Sequence, residues 1–126
     1  MFINVNLKEK RPLYEQICSG VEEQLLLGII RADEELPSVR SLAVELSINP
    51  NTVQKAYALL EQRGFIYSVS GRGSFACDIE KLLPLKREEA LKEFDRTAKQ
   101  ALGLDISKND LKDRLEELQT GHPERL

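Results

Sequence analysis

Apolar residues recur at steps of three and four along most of the chain, and the places where this period breaks carry turn-forming residues. Leu13, Ile17, Val21 and Leu25 follow one another at steps of four, Pro12 opens the run and Gly28 lies near its end. The spacing predicts a first helix whose apolar side serves as core. Val39, Leu42, Ala43 and Leu46 predict a second, short helix, and Ser38, following Leu36-Pro37, is placed to accept hydrogen bonds from its free amides. Ser47-Ile48-Asn49 breaks the period. Asn49 then caps a third helix, Pro50 takes the first helical position, where a missing N–H costs nothing, and Val53, Ala56, Tyr57 and Leu60 form the buried stripe.

Beyond Gly64 the composition changes. Phe65-Ile66-Tyr67-Ser68-Val69 is rich in β-branched and aromatic residues, Ser70-Gly71-Arg72-Gly73 is a turn, and Ser74-Phe75-Ala76-Cys77 returns as a second strand. A helical period resumes after Pro84 with Leu91, Phe94, Ala98, Ala101 and Leu102, up to Gly103. A last helix follows, with Ser107 and Asp110 as a cap pair, Leu111, Leu115 and Leu118 inside, and Gly121 and Pro123 at its end. Residues 2–7 alternate weakly, as a short strand or as an arm exchanged between subunits of a dimer would.

The fold class expected is mainly α with a small β-wing: a winged helix-turn-helix over residues 1–77, followed by a C-terminal helical hairpin over residues 78–126. The third helix leaves Asn51, Thr52, Gln54 and Lys55 on the outward side of its first turns. Hydrogen-bonding side chains there match what major-groove reading requires, because base edges present donors and acceptors. Arg72, flanked by glycines at the hairpin tip, offers one positive charge to a phosphate or a minor groove.

From about residue 10 to 77 the chain resembles the winged helix-turn-helix domain of the GntR family of bacterial transcription factors. The Leu-Pro-Ser-x-Arg stretch at 36–40 and the Asn-Pro-Asn-Thr-Val stretch at 49–53 are similar to its YtrA-like subfamily. The resemblance implies a homodimeric repressor on a palindromic operator in double-stranded DNA. Carried over position by position, it implies DNA contacts from Ser38, Arg40, Asn49, Asn51, Thr52 and Arg72, with Gly73 allowing close approach. Many family members carry arginines where this chain has Pro50 and Gln54. A guanine-centred operator therefore does not transfer, and Gln54 either favours adenine or contacts only backbone.

Net charge is −3, unusual for a DNA binder, yet it is unevenly spread. Residues 36–76 hold Arg40, Lys55, Arg63 and Arg72 against Glu45 and Glu61, whereas residues 15–35 hold Arg31 against Glu15, Glu22, Glu23, Asp33, Glu34 and Glu35. So few basic residues imply few phosphate contacts per subunit and a need for a second one. The two C-terminal helices, about 35 residues in all, are too small for a core of their own. Their apolar faces pair either with a second copy, through residues 84–120, or with their own winged domain.

Other chemistry is poorly supported. There is no glycine-rich phosphate loop, no Ser/His/Asp set and no cofactor motif, so an enzyme is not expected. His122 is the single histidine and has no nearby cysteine, so no metal site is expected. Cys18 and Cys77 lack CxxC spacing and read as reduced, buried thiols. Glu22-Glu23 reads as a solvated surface pair. No apolar run is long enough to span a bilayer, and residues 1–7 lack the basic start of a secretory signal, which predicts a cytoplasmic protein. Residues 78–126 are too few for the effector-binding or aminotransferase-like domains of longer GntR relatives. A small ligand between paired hairpins stays open as an expectation, without a polar cluster to hold it. A winged-helix protein-interaction module is the alternative reading, and the outward Arg40, Asn51, Thr52, Lys55 and Arg72 weigh against it.

Overall fold

In the computed structural model, which describes residues 1–120, five helices and one two-stranded sheet follow in the order α1 (Leu13–Leu26), α2 (Val39–Leu46), α3 (Pro50–Gln62), β1 (Ile66–Val69), β2 (Gly73–Ala76), α4 (Ile79–Gly103) and α5 (Lys108–Thr120). The chain divides into two compact units, Met1–Pro84 and Leu85 onward. This boundary falls later than the one expected after residue 77, because Ile79 and Leu82 pack on the core of the first unit.

That core is built from the stripes legible in the sequence. Ile17, Val21 and Leu25 of α1, Leu42 and Ala43 of α2, and Val53, Ala56, Tyr57 and Leu60 of α3 are buried together with Ile30, Leu36, Phe65, Ile66 and Ala76. Each stripe supplies side chains one or two turns apart, so α3 packs against both α1 and α2. The tight break between α2 and α3 depends on Ser47, whose left-handed backbone (φ 56°) ends α2 and turns the chain for Asn49 to begin α3.

β1 and β2 pair antiparallel with Ile66 opposite Ala76 and Val69 opposite Gly73, leaving Ser70-Gly71-Arg72 as the loop. The segment 33–36 joins the free edge of β2, an addition that the sequence pattern missed. The Asp33 N–H donates to the Ala76 carbonyl (2.8 Å), the Ala76 N–H to the Glu34 carbonyl (2.8 Å), and the Leu36 N–H to the Ser74 carbonyl (2.9 Å). The wing is thus sewn to the strand-like entry of α2.

Two expectations need correction. Residues 2–7 form no strand but an arm laid on α1 of the same chain, with Ile3 buried. Two buried glutamines replace a sheet ladder. Gln24 accepts from the Phe2 N–H (2.9 Å) and donates to the Phe2 carbonyl; Gln16 accepts from the Asn6 N–H (2.7 Å) and donates to the Asn6 and Arg11 carbonyls. Gly20 gives the arm room, since a β-carbon there would lie 3.0 Å from Ile3 Cδ1. The second correction concerns α4, which starts upstream of Pro84 rather than after it. Asp78 caps it by accepting from the Glu80 N–H (3.2 Å), and the proline lacks one helical N–H, the one that would face the carbonyl of Glu80, an exposed residue.

In the second unit, a turn with Asp105 in the left-handed region (φ 63°) connects α4 to α5, and Ser107 caps α5 through the Asp110 N–H (3.1 Å), as the sequence predicts. Gly121, His122 and Pro123 lie outside the described residues. No side chain of α4 is buried, and Leu91, Phe94, Leu102, Leu115 and Leu118 remain 47–60% exposed.

Candidate nucleic-acid interface

The candidate surface comprises two helix starts and one hairpin tip, all in the first unit. At the start of α2, Ser38 Oγ accepts from the Ser41 N–H (3.0 Å) and donates to Ser41 Oγ (2.9 Å). At the start of α3, Asn49 Oδ1 accepts from the Asn51 N–H (2.8 Å). Both residues expected to touch DNA are therefore first of all caps. Asn49 keeps its two amide donors for other partners, and the Ser38–Ser41 pair leaves the Ser41 hydroxyl as the free donor. Ser41 went unnoticed in the sequence because only its packing onto Ser38 gives it this place.

Asn51, Gln54 and Lys55 are exposed on α3 and Thr52 is half-buried beside them. Val53 and Ala56 on the opposite side are fully buried, so the polar face has one orientation available to it. Arg40, in the first turn of α2, and Arg72, at the wing tip, are exposed and have no carboxylate partner among the described residues. Arg63, by contrast, pairs with Glu22 of α1 at 3.6 Å. That contact makes Glu22 a structural residue rather than a merely solvated one. Lys55 sits with its Nζ 4.1 Å from the centre of the Tyr14 ring.

Several contacts fix these parts relative to one another. The Tyr57 hydroxyl of α3 donates to the Pro37 carbonyl (2.7 Å) immediately before α2, and burial pushes its phenol far above the ordinary range, so it stays a donor. On the wing, Tyr67 stacks on Phe75 (centroids 5.7 Å apart) and donates to Asp33 (2.7 Å), while Ser68 donates to Glu61 of α3 (2.8 Å). Gly73 has φ 121°, a backbone state that side chains resist, so its glycine is required by the hairpin itself as well as suited to close approach. Elsewhere, burial pushes the Cys18 thiol up to about 11; this buried group donates to the Ala56 carbonyl (3.4 Å). Cys77 is half-buried, its thiol also raised by burial, and both cysteines are free. Among the described residues no cluster of His, Cys, Asp and Glu is placed to hold a metal, and no helix is long and apolar enough to cross a membrane.

Residues 13–75, covering α1 to the wing, match the profile of the bacterial regulatory proteins of the gntR family. The chain belongs to the GntR family. It is 42% identical over 79 residues to the HTH-type transcriptional repressor YtrA of Bacillus subtilis (strain 168), a match covering 63% of this chain and 61% of that protein. The solved YtrA from Sulfolobus acidocaldarius, a GntR-family transcription factor, superposes with a TM-score of 0.58 at 33% identity, covering 73% of this chain and 99% of that one. The AraR(DBD), solved in complex with operator ORE1, superposes with a TM-score of 0.52 at 25% identity, covering 61% of this chain and 94% of that one. This chain is a YtrA-like GntR regulator with a winged helix-turn-helix, a DNA-binding transcription factor.

Proposed function

We propose that this GntR protein is a cytoplasmic repressor that binds a two-fold symmetric operator as a homodimer. One observation carries the DNA contacts. Arg40, Asn51 and Arg72, on three different elements of one unit, are exposed, and both arginines lack a carboxylate partner among the described residues. Two of the elements are held at a common seam by the Tyr57–Pro37 bond, and the wing is sewn to the same entry strand. In this reading Ser38, Ser41 and Arg40 grip phosphates at the start of α2. Asn49, Asn51, Thr52 and Gln54 face base edges from the start of α3, with Lys55 at the flank. Arg72 and Gly73 approach the adjacent minor groove or its phosphates. Pro50 and Gln54 in place of arginines keep the base code separate from a guanine-centred one.

The dimer is supported by the apolar residues left exposed on α4 and α5. A two-fold axis lets the same stripe cover itself, and two subunits place their α3 helices in successive major grooves roughly 34 Å apart. Occupancy of a promoter then excludes polymerase. Selection of bound fragments from random-sequence duplex, followed by footprinting, tests the reading: it expects a palindrome with half-sites one helical turn apart. Recovery of no preferred sequence, or of a single half-site by a monomer, would sink it. Sedimentation of Phe94→Glu, a change at an exposed position of α4, is expected to show monomers, and an unchanged dimer would remove this stripe from the interface.

A further inference from the structure

We propose that Tyr14 is a positioning residue for DNA binding, holding the Lys55 ammonium in one place beside the reading face of α3. The proposal rests on the DNA-binding reading above and adds to it a residue from α1, outside the helix-turn-helix and the wing. Lys55 lies four residues after Asn51, one helical turn further along the same outward stripe, so its charge belongs to the flank of the reading surface. A lysine on an exposed helix face ordinarily samples many rotamers, and ordering its four-carbon stem against a phosphate costs binding energy. Here the ammonium has a partner that can hold it: Nζ stands 4.1 Å from the Tyr14 ring centre, within the range of a cation–π contact.

The ring that receives it is anchored on the core of its own unit. Tyr14 sits in the first turn of α1, is half-buried and packs against the core of the first unit. Its hydroxyl is turned to Glu15 (3.4 Å), so the ring, not the oxygen, meets Lys55. A cation–π contact keeps the lysine charge intact, whereas a carboxylate partner would neutralise it, as Glu22 does for Arg63. Tyr14 therefore orders a cation without spending it, and the aromatic partner leaves the ammonium's N–H donors available for a phosphate.

Charge and order separate cleanly in a salt titration. With a duplex recovered by selection as probe, Lys55→Ala is expected to lower the slope of log affinity against log salt by about one unit, since one phosphate contact is lost. Tyr14→Leu keeps the charge, so the slope is expected to stay while affinity falls about two- to fivefold, the worth of an exposed cation–π contact. Tyr14→Phe, which retains the ring, is expected to bind like the parent, and Tyr14→Leu is expected to cost nothing further in a Lys55→Ala background. Parental or tighter binding by a folded Tyr14→Leu, or an equal loss in both backgrounds, overturns the proposal. A second measurement needs no variant. The Lys55 ε-methylene protons are expected to show an upfield ring-current shift in the free protein that persists in the DNA complex; its absence in either state overturns the proposal. Failure of the unmodified chain to bind any duplex would instead refute the DNA reading, with the free-protein shift unaffected.

Discussion

Tyr57→Phe removes a single oxygen from the seam between α2 and α3, and its consequences can be worked from the structure. The Tyr57 side chain is 4% exposed and its hydroxyl donates to the Pro37 carbonyl at 2.7 Å, one residue before the Ser38 cap. Phenylalanine fills the same volume, so no cavity opens and the core stripe is retained. What is lost is one hydrogen bond and the partner of a half-buried carbonyl, worth about 1–2 kcal/mol. For a unit of this size that corresponds to a fall of about 5–10 °C in melting temperature, with an unchanged denaturant slope. The same bond sets where α2 begins relative to α3, and hence where Ser38, Ser41 and Arg40 stand relative to Asn51. Operator affinity measured well below the melting temperature, where the variant is fully folded, is expected to fall by about threefold to tenfold. The pair of assays separates alignment from stability. Reduced stability with parental affinity would show that the bond holds the fold without aligning the reading surface, and parental values in both would refute the reasoning altogether.

Other consequences follow from single contacts. Arg40→Ala should weaken binding to all sequences alike and reduce the salt slope by about one unit; unchanged affinity at every salt concentration would remove Arg40 from the contact set. Gln24→Ala should free the Phe2 end of the arm, lowering stability by about 1–2 kcal/mol and exposing the first amides to hydrogen exchange, whereas parental protection would show that Ile3 alone holds the arm. The raised Cys18 thiol favours the protonated form in the fold, so its contribution is complete below the ordinary thiol value of 9.0 and is lost as pH rises toward about 11. Over that window the fold should lose on the order of 2 kcal/mol of stability, and Cys18→Ala should flatten the loss. An identical alkaline profile in that variant would assign the pH dependence to other groups.

Much of the first unit could be read from the residues in order. The cap at Ser38, the break at Ser47-Ile48-Asn49, the Asn49-Pro50 start and the glycine-flanked Arg72 each act within one turn of the chain, and each stands where expected. The misreadings share one cause. Pro84 reads as a helix start because proline suits that position, yet the cap at Asp78 and the packing of half-buried Ile79 and Leu82 against the core begin the helix earlier. Residues 2–7 alternate like a strand, but the ladder partners are glutamine side chains ten and more residues away.

The sequence by itself determined the helices, their buried stripes, the caps and the polar face of α3, because these depend on neighbours within a few residues and on the 3.6-residue period. Only the tertiary structure decided which of the charged side chains are spent and which are free. Glu22 engages Arg63 across 41 residues of chain and Tyr14 receives Lys55 across the same interval. It also bound the segment 33–36 to the wing and tied Tyr57 to Pro37. The reason is physical: each of those contacts exists only after α1, α2 and α3 have buried a common core, and the packing that fixes their distances leaves no trace in local spacing.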